Sequence, residues 1–297
     1  MLIIAIVLLL LLILLARRMA DYRADRRVTE HLISTQPELP DVFHPDMVAS
    51  LPEPARRYFL YTIAPDTPLY PVVDFTMTGK FALGTRQQPN YFAMRARQVL
   101  SVPQGFIWSM RASRGWMRVS GSDSHRWTRF WLMGLIPVAR MGGDTDHQRS
   151  AFGRYIAEGV FWSPAALLPG PDVHWEPVDQ NCARVTLTHG TLSQSVDITV
   201  AENGQPTQVC FLRWSNANPE KVYRLQPFGG KLSAFKTFAG FCLPTHVEAG
   251  NHFGSDDYFP FFIADIEQFH FPLPFKRGAS GDASSPHSPS HTTSGEL

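Results

Sequence analysis

Charge is scarce in this sequence. Asp, Glu, Lys and Arg make up 18% of its 297 residues and nearly cancel, leaving a formal net charge of +1. Nucleic-acid-binding domains carry a basic stripe, and with none here that class of partner is set aside. Cysteine is scarcer still. Cys182, Cys210 and Cys242 are odd in number, far apart and each inside an apparent strand. That suits small buried hydrophobes better than a disulfide framework or a thiolate metal site. The sequence also lacks a Gly-x-Ser-x-Gly elbow, a His-Glu-x-x-His pair, a P-loop and a dinucleotide glycine fingerprint. No catalytic residue, metal or cofactor is therefore assigned from motifs, and no repeat of fixed period is visible.

Apolar residues are plentiful at 44%, which excludes wholesale disorder and supplies a sizeable core. The 21 Phe and 24 Pro suit strands separated by turns. The longest apolar run stands at the amino terminus. Residues 2–15 read LIIAIVLLLLLILL, thirteen of them Leu, Ile or Val, each favouring insertion by roughly 0.3–0.6 kcal/mol at a helix centre. Extended to Ala20, with Arg17 and Arg18 snorkelling, this becomes a single transmembrane anchor over 1–20. A cleaved signal peptide would have a basic start and a small-x-small site, and neither is seen. The bilayer is thus the expected partner of residues 2–16. Arg17, Arg18, Arg23, Arg26 and Arg27 all follow the run, so the positive-inside rule puts the soluble part in the cytoplasm.

Residues 21–47 read as a juxtamembrane stalk and proline-broken linker, 48–275 as one soluble domain, and 276–297 as a disordered tail of Ser, Pro, His, Gly and Thr. A short helix opens the domain, with Pro52 and Pro54 in its first turn and Tyr58, Phe59 and Ile63 facing the core. The period then becomes two. Phe75, Met77, Gly79 and Phe81 alternate with polar residues, as do Phe92, Met94, Ala96 and Gln98. Further runs include Arg126 to Ile136, Lys221 to Leu225 and Gly230 to Phe238, giving about eleven strands in all.

One helix interrupts them over Asp146 to Val160. Phe152, Tyr155, Ile156, Gly159 and Val160 share one face, and Asp146, Ser150, Arg154 and Glu158 form a polar stripe opposite. The Arg154–Glu158 pair is either a solvated helix contact or a pair lining a cavity. Asp144, Asp146 and His147 could hold a divalent cation, but acidic residues at a helix start more commonly cap free amides. The candidate ligand-binding set is Asp146, Ser150, Arg154 and Glu158 with Trp131, Trp162 and Trp214.

Leu51-Pro-Glu-Pro-Ala-Arg-Arg-Tyr, Met77-Thr-Gly-Lys-Phe, Trp162-x-Pro164-Ala-Ala-Leu, Trp214-x-Asn216, Pro227-Phe-Gly and Phe253-Gly-x-Asp256 resemble a bacterial family of unknown function over roughly Leu51 to Ile266. No activity comes with that resemblance. The strand-rich layout also looks like the incomplete β-barrels of periplasmic lipoprotein carriers, which implies lipid binding and a periplasmic side as the alternative location. The resulting expectation is a mainly β (α+β) fold: a curved antiparallel sheet or incomplete barrel covered by two or three helices. Its expected function is non-catalytic binding of an apolar ligand such as a lipid or acyl chain. The alternatives are an interaction domain at an inner membrane, and a hydrolase or metal-dependent enzyme using the segment from Asp144 to Glu158.

Alkaline phosphatase matures only where its disulfides form. A fusion after Phe275 is expected to be inactive, and Arg17→Ser with Arg18→Ser to raise its activity severalfold by letting some chains insert inverted. High activity in the unaltered fusion would reverse the orientation.

Overall fold

Alternation of apolar and polar residues builds one antiparallel sheet of thirteen strands. The structure, a computed structural model, describes residues 1–273, so the tail expected over 276–297 lies outside the described residues. The first six strands are β1 (Val72–Ala82), β2 (Tyr91–Ser101), β3 (Gly105–Arg114), β4 (Met117–Ser124), β5 (Trp127–Leu132) and β6 (Ile136–Gly142). Seven more follow: β7 (Val173–Pro177), β8 (Cys182–His189), β9 (Leu192–Val200), β10 (Pro206–Ser215), β11 (Arg224–Phe238), β12 (Phe241–Asn251) and β13 (Phe259–His270). Each group is a meander. They join where β1 pairs with β13, Phe75 opposite Phe269 and Phe81 opposite Phe262. β6 and β7 are the two edges, so the sheet is an incomplete barrel.

Two strand boundaries differ from the sequence reading. The run Arg126 to Ile136 is two strands, because Met133 and Gly134 both take positive φ (52° and 76°) and turn the chain as a tight hairpin. The runs 221–225 and 230–238 are instead one strand, β11, which carries Pro227 and Gly229-Gly230 inside it. Pro227 faces Leu212 in a continuous ladder with β10.

Three α-helices cover the sheet: α1 (Leu2–Ile33), α2 (Glu53–Thr62) and α3 (Thr145–Trp162). The connection between the edge strands runs through α3, whose eighteen residues span about 27 Å at 1.5 Å each. This helix crosses the inner face, and ten of its residues are buried. Gly159 allows the close approach, since a Cβ there would meet Val102 Cγ2 at 2.8 Å. Beside it α2 buries Tyr58, Phe59 and Ile63 completely, as its sequence predicts. The Tyr58 hydroxyl donates to the Val160 carbonyl and ties α2 to α3.

The outer face is covered over β1 to β6 by the second half of α1. The helix α1 is long and apolar enough to cross a bilayer, and the apolar side chains of its residues 2–13 are exposed. That helix continues unbroken into the stretch expected as a stalk, where Val28, Leu32 and Ile33 pack on Val72, Val99, Ile107 and Trp127. Gln36 then hydrogen-bonds both backbone groups of Val72.

Asp21, only 7% exposed, fastens the middle of α1 to β5 and β6. It accepts from Trp131 Nε1 at 2.9 Å, from both Arg140 terminal nitrogens at 2.8 and 2.9 Å, and from Arg129 at 3.3 Å. Burial alone would raise its pKa, but the hydrogen bonds from Arg140 and Trp131 and the two arginine charges outweigh burial and hold it below the ordinary value. A carboxyl with a depressed folded-state pKa stabilises fully above its unfolded value of about 4 and loses that contribution as pH falls through the folded-state value. The docked half of α1 is therefore expected to loosen below about pH 4. Asp21→Asn should loosen it at neutral pH by about 1–3 kcal/mol, since the freed arginines are partly solvated. Hydrogen exchange checks both: amides of residues 21–33 should lose protection while β1, β2 and β13 keep theirs.

Candidate functional site

Strand alternation turns Phe81, Phe106, Trp108, Phe130, Phe228 and Phe262 to the inner face, where α3 roofs them without filling the space below. A cavity of about 440 Å³ remains between helix and sheet. Its walls are mostly apolar, with aromatic rings prominent among them. Edge-to-face packing of Trp108 with Phe130 and Phe262, at centroid distances of 6.3 and 6.2 Å, sets its shape.

One side of the cavity is ionic. The polar stripe of α3 points into it, so Arg154 and Glu158 are 17% and 14% exposed and do not form a solvated helix contact. Arg154 Nε donates to Glu158 Oε1 at 2.8 Å, one turn along the helix, and Nη1 donates to Asp123 Oδ2 on β4. The other Glu158 oxygen accepts from Gln98 Nε2 at 2.6 Å, and the other Asp123 oxygen from Thr128 Oγ1 at 2.5 Å. The guanidinium lies over Phe106 at 4.6 Å and Trp108 at 5.5 Å. Burial opposes its charge, yet the Glu158 and Asp123 carboxylates outweigh burial and raise its pKa.

Arg213 on β10 faces the same space. No carboxylate lies within ion-pair distance of it among the described residues, and its Nε is buried without a hydrogen-bond partner. Its pKa is pushed down to about 10, first by burial and then by the like charge of Arg154. Asp123 and Glu158 offset this in part. Trp108, 3% exposed, leaves its indole N–H unpartnered as well.

The candidate residues divide by position. Ser150, Arg154, Glu158 and Trp162 line the cavity. Trp162 also donates to the Pro244 carbonyl at 3.3 Å. Asp146 and Trp214 bind each other at its rim, indole N–H to carboxylate at 2.8 Å, with Arg149 4.0 Å above the indole. Trp131 stands apart, on the outer face against Asp21.

At the start of α3, Asp144 is the N-cap and accepts from the His147 amide at 2.7 Å, while the His147 ring meets the Ser124 carbonyl at 3.1 Å. Asp144, Asp146 and His147 thus each engage a different partner and do not converge, and no metal-ligand cluster forms among the described residues.

Asp123, Gln98, Trp108 and Arg213 were not singled out as site residues by sequence reasoning. Their signal was the strand register: Gln98 continues the inward series of Phe92, Met94 and Ala96, and Arg213 that of Val209 and Phe211.

The sequence profile of a family of unknown function, DUF6544, matches residues 41–264. The chain belongs to that family. The matched stretch contains all three α3–sheet anchors, Asp123, Arg154 and Glu158, and every residue named above as lining the cavity. No curated protein matches the chain. Among solved structures it is similar to a LolA superfamily protein from Nitrosomonas europaea, with 13% identity, 74% of this chain and 91% of that one covered, and a TM-score of 0.35. It is also similar to a putative outer membrane lipoprotein-sorting protein domain from Vibrio parahaemolyticus, with 9% identity, coverages of 70% and 86%, and a TM-score of 0.32. Likenesses at these scores carry no argument about a ligand.

Arg154→Ala would leave Asp123 and Glu158 as neighbouring uncompensated carboxylates under the helix. The expected cost is about 3–5 kcal/mol, partly recovered by adding Asp123→Asn and Glu158→Gln. Urea unfolding checks it; a cost below about 0.5 kcal/mol without recovery would mean a solvated pair.

Proposed function

We propose that the domain is a binding module that holds an apolar or amphipathic small molecule, such as a lipid or single acyl chain, in the cavity under α3, tethered to a membrane by the apolar half of α1. The cavity itself carries the reading. Protein interiors are packed to crystal density, and a mostly apolar space of about 440 Å³ in the middle of one is the form small-molecule sites take.

The tether is supported by how α1 docks. Its contacts run from Gln36 at Val72 up to Arg18 at Ser120, so the apolar half continues past the turns that end β3 and β5. Those turns expose Trp116 (76%), Met133 (46%) and Leu135 (39%), apolar side chains suited to the interface of the same bilayer. The arginines after the apolar run favour the cytoplasmic side for the domain.

Native mass spectrometry of the purified full chain is expected to show a co-purifying apolar molecule near one per chain. Ala157→Phe, which puts a ring into the cavity, should lower that occupancy at least tenfold while unfolding stays cooperative. An empty wild-type chain that also fails to take up added dodecanol would overturn the reading.

A further inference from the structure

Two residues that line this one cavity, Trp108 and Arg213, each carry a buried donor without an acceptor, the Arg213 guanidinium lying over the Phe228 ring at 5.1 Å. Buried N–H groups in native proteins are paired with few exceptions. Trp108 Nε1 and Arg213 Nε are two of the three buried side-chain polar atoms that lack a partner among the described residues, and both residues line this cavity. The third, the Thr62 hydroxyl on α2, does not line it.

The Trp108 ring centroid is 5.5 Å from the Arg154 guanidinium, and Arg213 lines the same cavity and feels the like charge of Arg154. The anionic groups near them are already in use. Asp123 is held by Arg154 and Thr128, and Glu158 by Arg154 and Gln98, all at direct hydrogen-bond contact. Both carboxylates act on Arg213 only from beyond contact distance. Of the charged side chains lining the cavity, Arg213 alone has no ion-pair partner among the described residues, and both it and the Trp108 indole N–H donate and cannot accept. The rest of the wall is mostly apolar, with Phe and Trp rings prominent and Thr128, Ser150, Asn216 and Asn251 among its polar members.

We infer that the cavity takes a single-chain amphiphile whose polar end is an anion, a carboxylate or a phosphate monoester, received by Arg213 and the Trp108 indole while its chain lies among the aromatic residues. This rests on the apolar-cavity reading above and specifies the head group that the cavity accepts. A planar guanidinium suits the two oxygens of a carboxylate or phosphate. A neutral alcohol would bring a donor of its own to a place already rich in donors. One chain fits better than several, since about 440 Å³ lies near the lower end of the roughly 300–1,000 Å³ typical of small-molecule sites.

Equilibrium binding to the full chain in nanodiscs, corrected for empty nanodiscs, tests it with radiolabelled dodecanoate, dodecyl phosphate, methyl dodecanoate and dodecanol, and with acetate and inorganic phosphate as chainless controls. Dodecanoate or dodecyl phosphate should bind roughly 10- to 100-fold more tightly than dodecanol, the range for a hydrogen bond to a charged group. Whichever of the two binds more tightly names the anion. Arg213→Gln should erase that advantage and leave dodecanol within about threefold of wild type, and Trp108→Phe should remove a smaller part of it. Arg213→Lys, which keeps the charge and loses the planar fork, should fall between wild type and Arg213→Gln and serves if the latter does not fold.

Equal binding of dodecanoate, its methyl ester and dodecanol by the wild type would overturn the anionic head group and leave the apolar cavity standing. Acetate or phosphate binding as tightly as the amphiphiles would overturn the single-chain ligand in favour of a bare anion site. If no chain-bearing probe binds, the apolar-cavity reading fails and this inference with it.

Discussion

Arg154 secures the roof of this fold to its floor. A sheet that curves without closing leaves an apolar inner face that must be covered, and α3, the connection between its two edges, is placed to cover it. Apolar residues along α3 supply most of the packing. The position of the helix over β4 is set by one guanidinium gripping Asp123 on the strand and Glu158 on its own helix. Taking three charges out of water is costly, and the arrangement holds because each carboxylate has a second donor on its other oxygen, Thr128 or Gln98. Such a network fixes orientation where apolar contacts would allow the helix to slide. With the helix so fixed, the space beneath it stays open.

The same strands serve both faces. In β4, Asp123 turns inward to Arg154 while Ser122 turns outward to Asp25 of α1. In β5, Thr128 and Phe130 line the cavity while Arg129 and Trp131 reach Asp21, and in β6 Met141 faces in while Arg140 faces out. The proposed ligand site and the docking site of α1 are thus two sides of one layer, separated by the thickness of a single strand. The two carboxylate-centred clusters, at Asp21 and at Arg154, clamp that layer from opposite directions.

Register explains which site residues were legible. Period two put Gln98 on the inward face with Phe92 and Met94, and period 3.6 drew Arg154 and Glu158 onto one stripe with Ser150. What alternation does not say is what lies across from a face. The stripe on α3 was open between solvent and cavity because the covering strands β4 and β10 lie about thirty residues before it and sixty after it in the chain. Trp131 was grouped with Trp162 and Trp214 by residue type, although strand parity turns it to the opposite face, beside Phe130 that does line the cavity. Arg213 was legible by parity with Val209 and Phe211, yet a lone arginine in a strand acquires meaning only once its neighbours lack an acceptor for it.

Local chemistry alone determined the apolar run of α1, the strand-rich domain and the two helices on its inner face. Each of these depends on residues within a few positions of one another, where periodicity, proline and glycine act directly. Only the tertiary structure decided that the stretch after the apolar run docks on the sheet, that Arg154 is buried, and that Trp108 and Arg213 share one cavity. Those outcomes depend on pairs such as Asp21 with Trp131 and Asp123 with Arg154, distant in sequence and joined by the curvature of the sheet. A hydrogen bond of that kind leaves no period in the chain, because its two halves are brought together by packing and not by spacing.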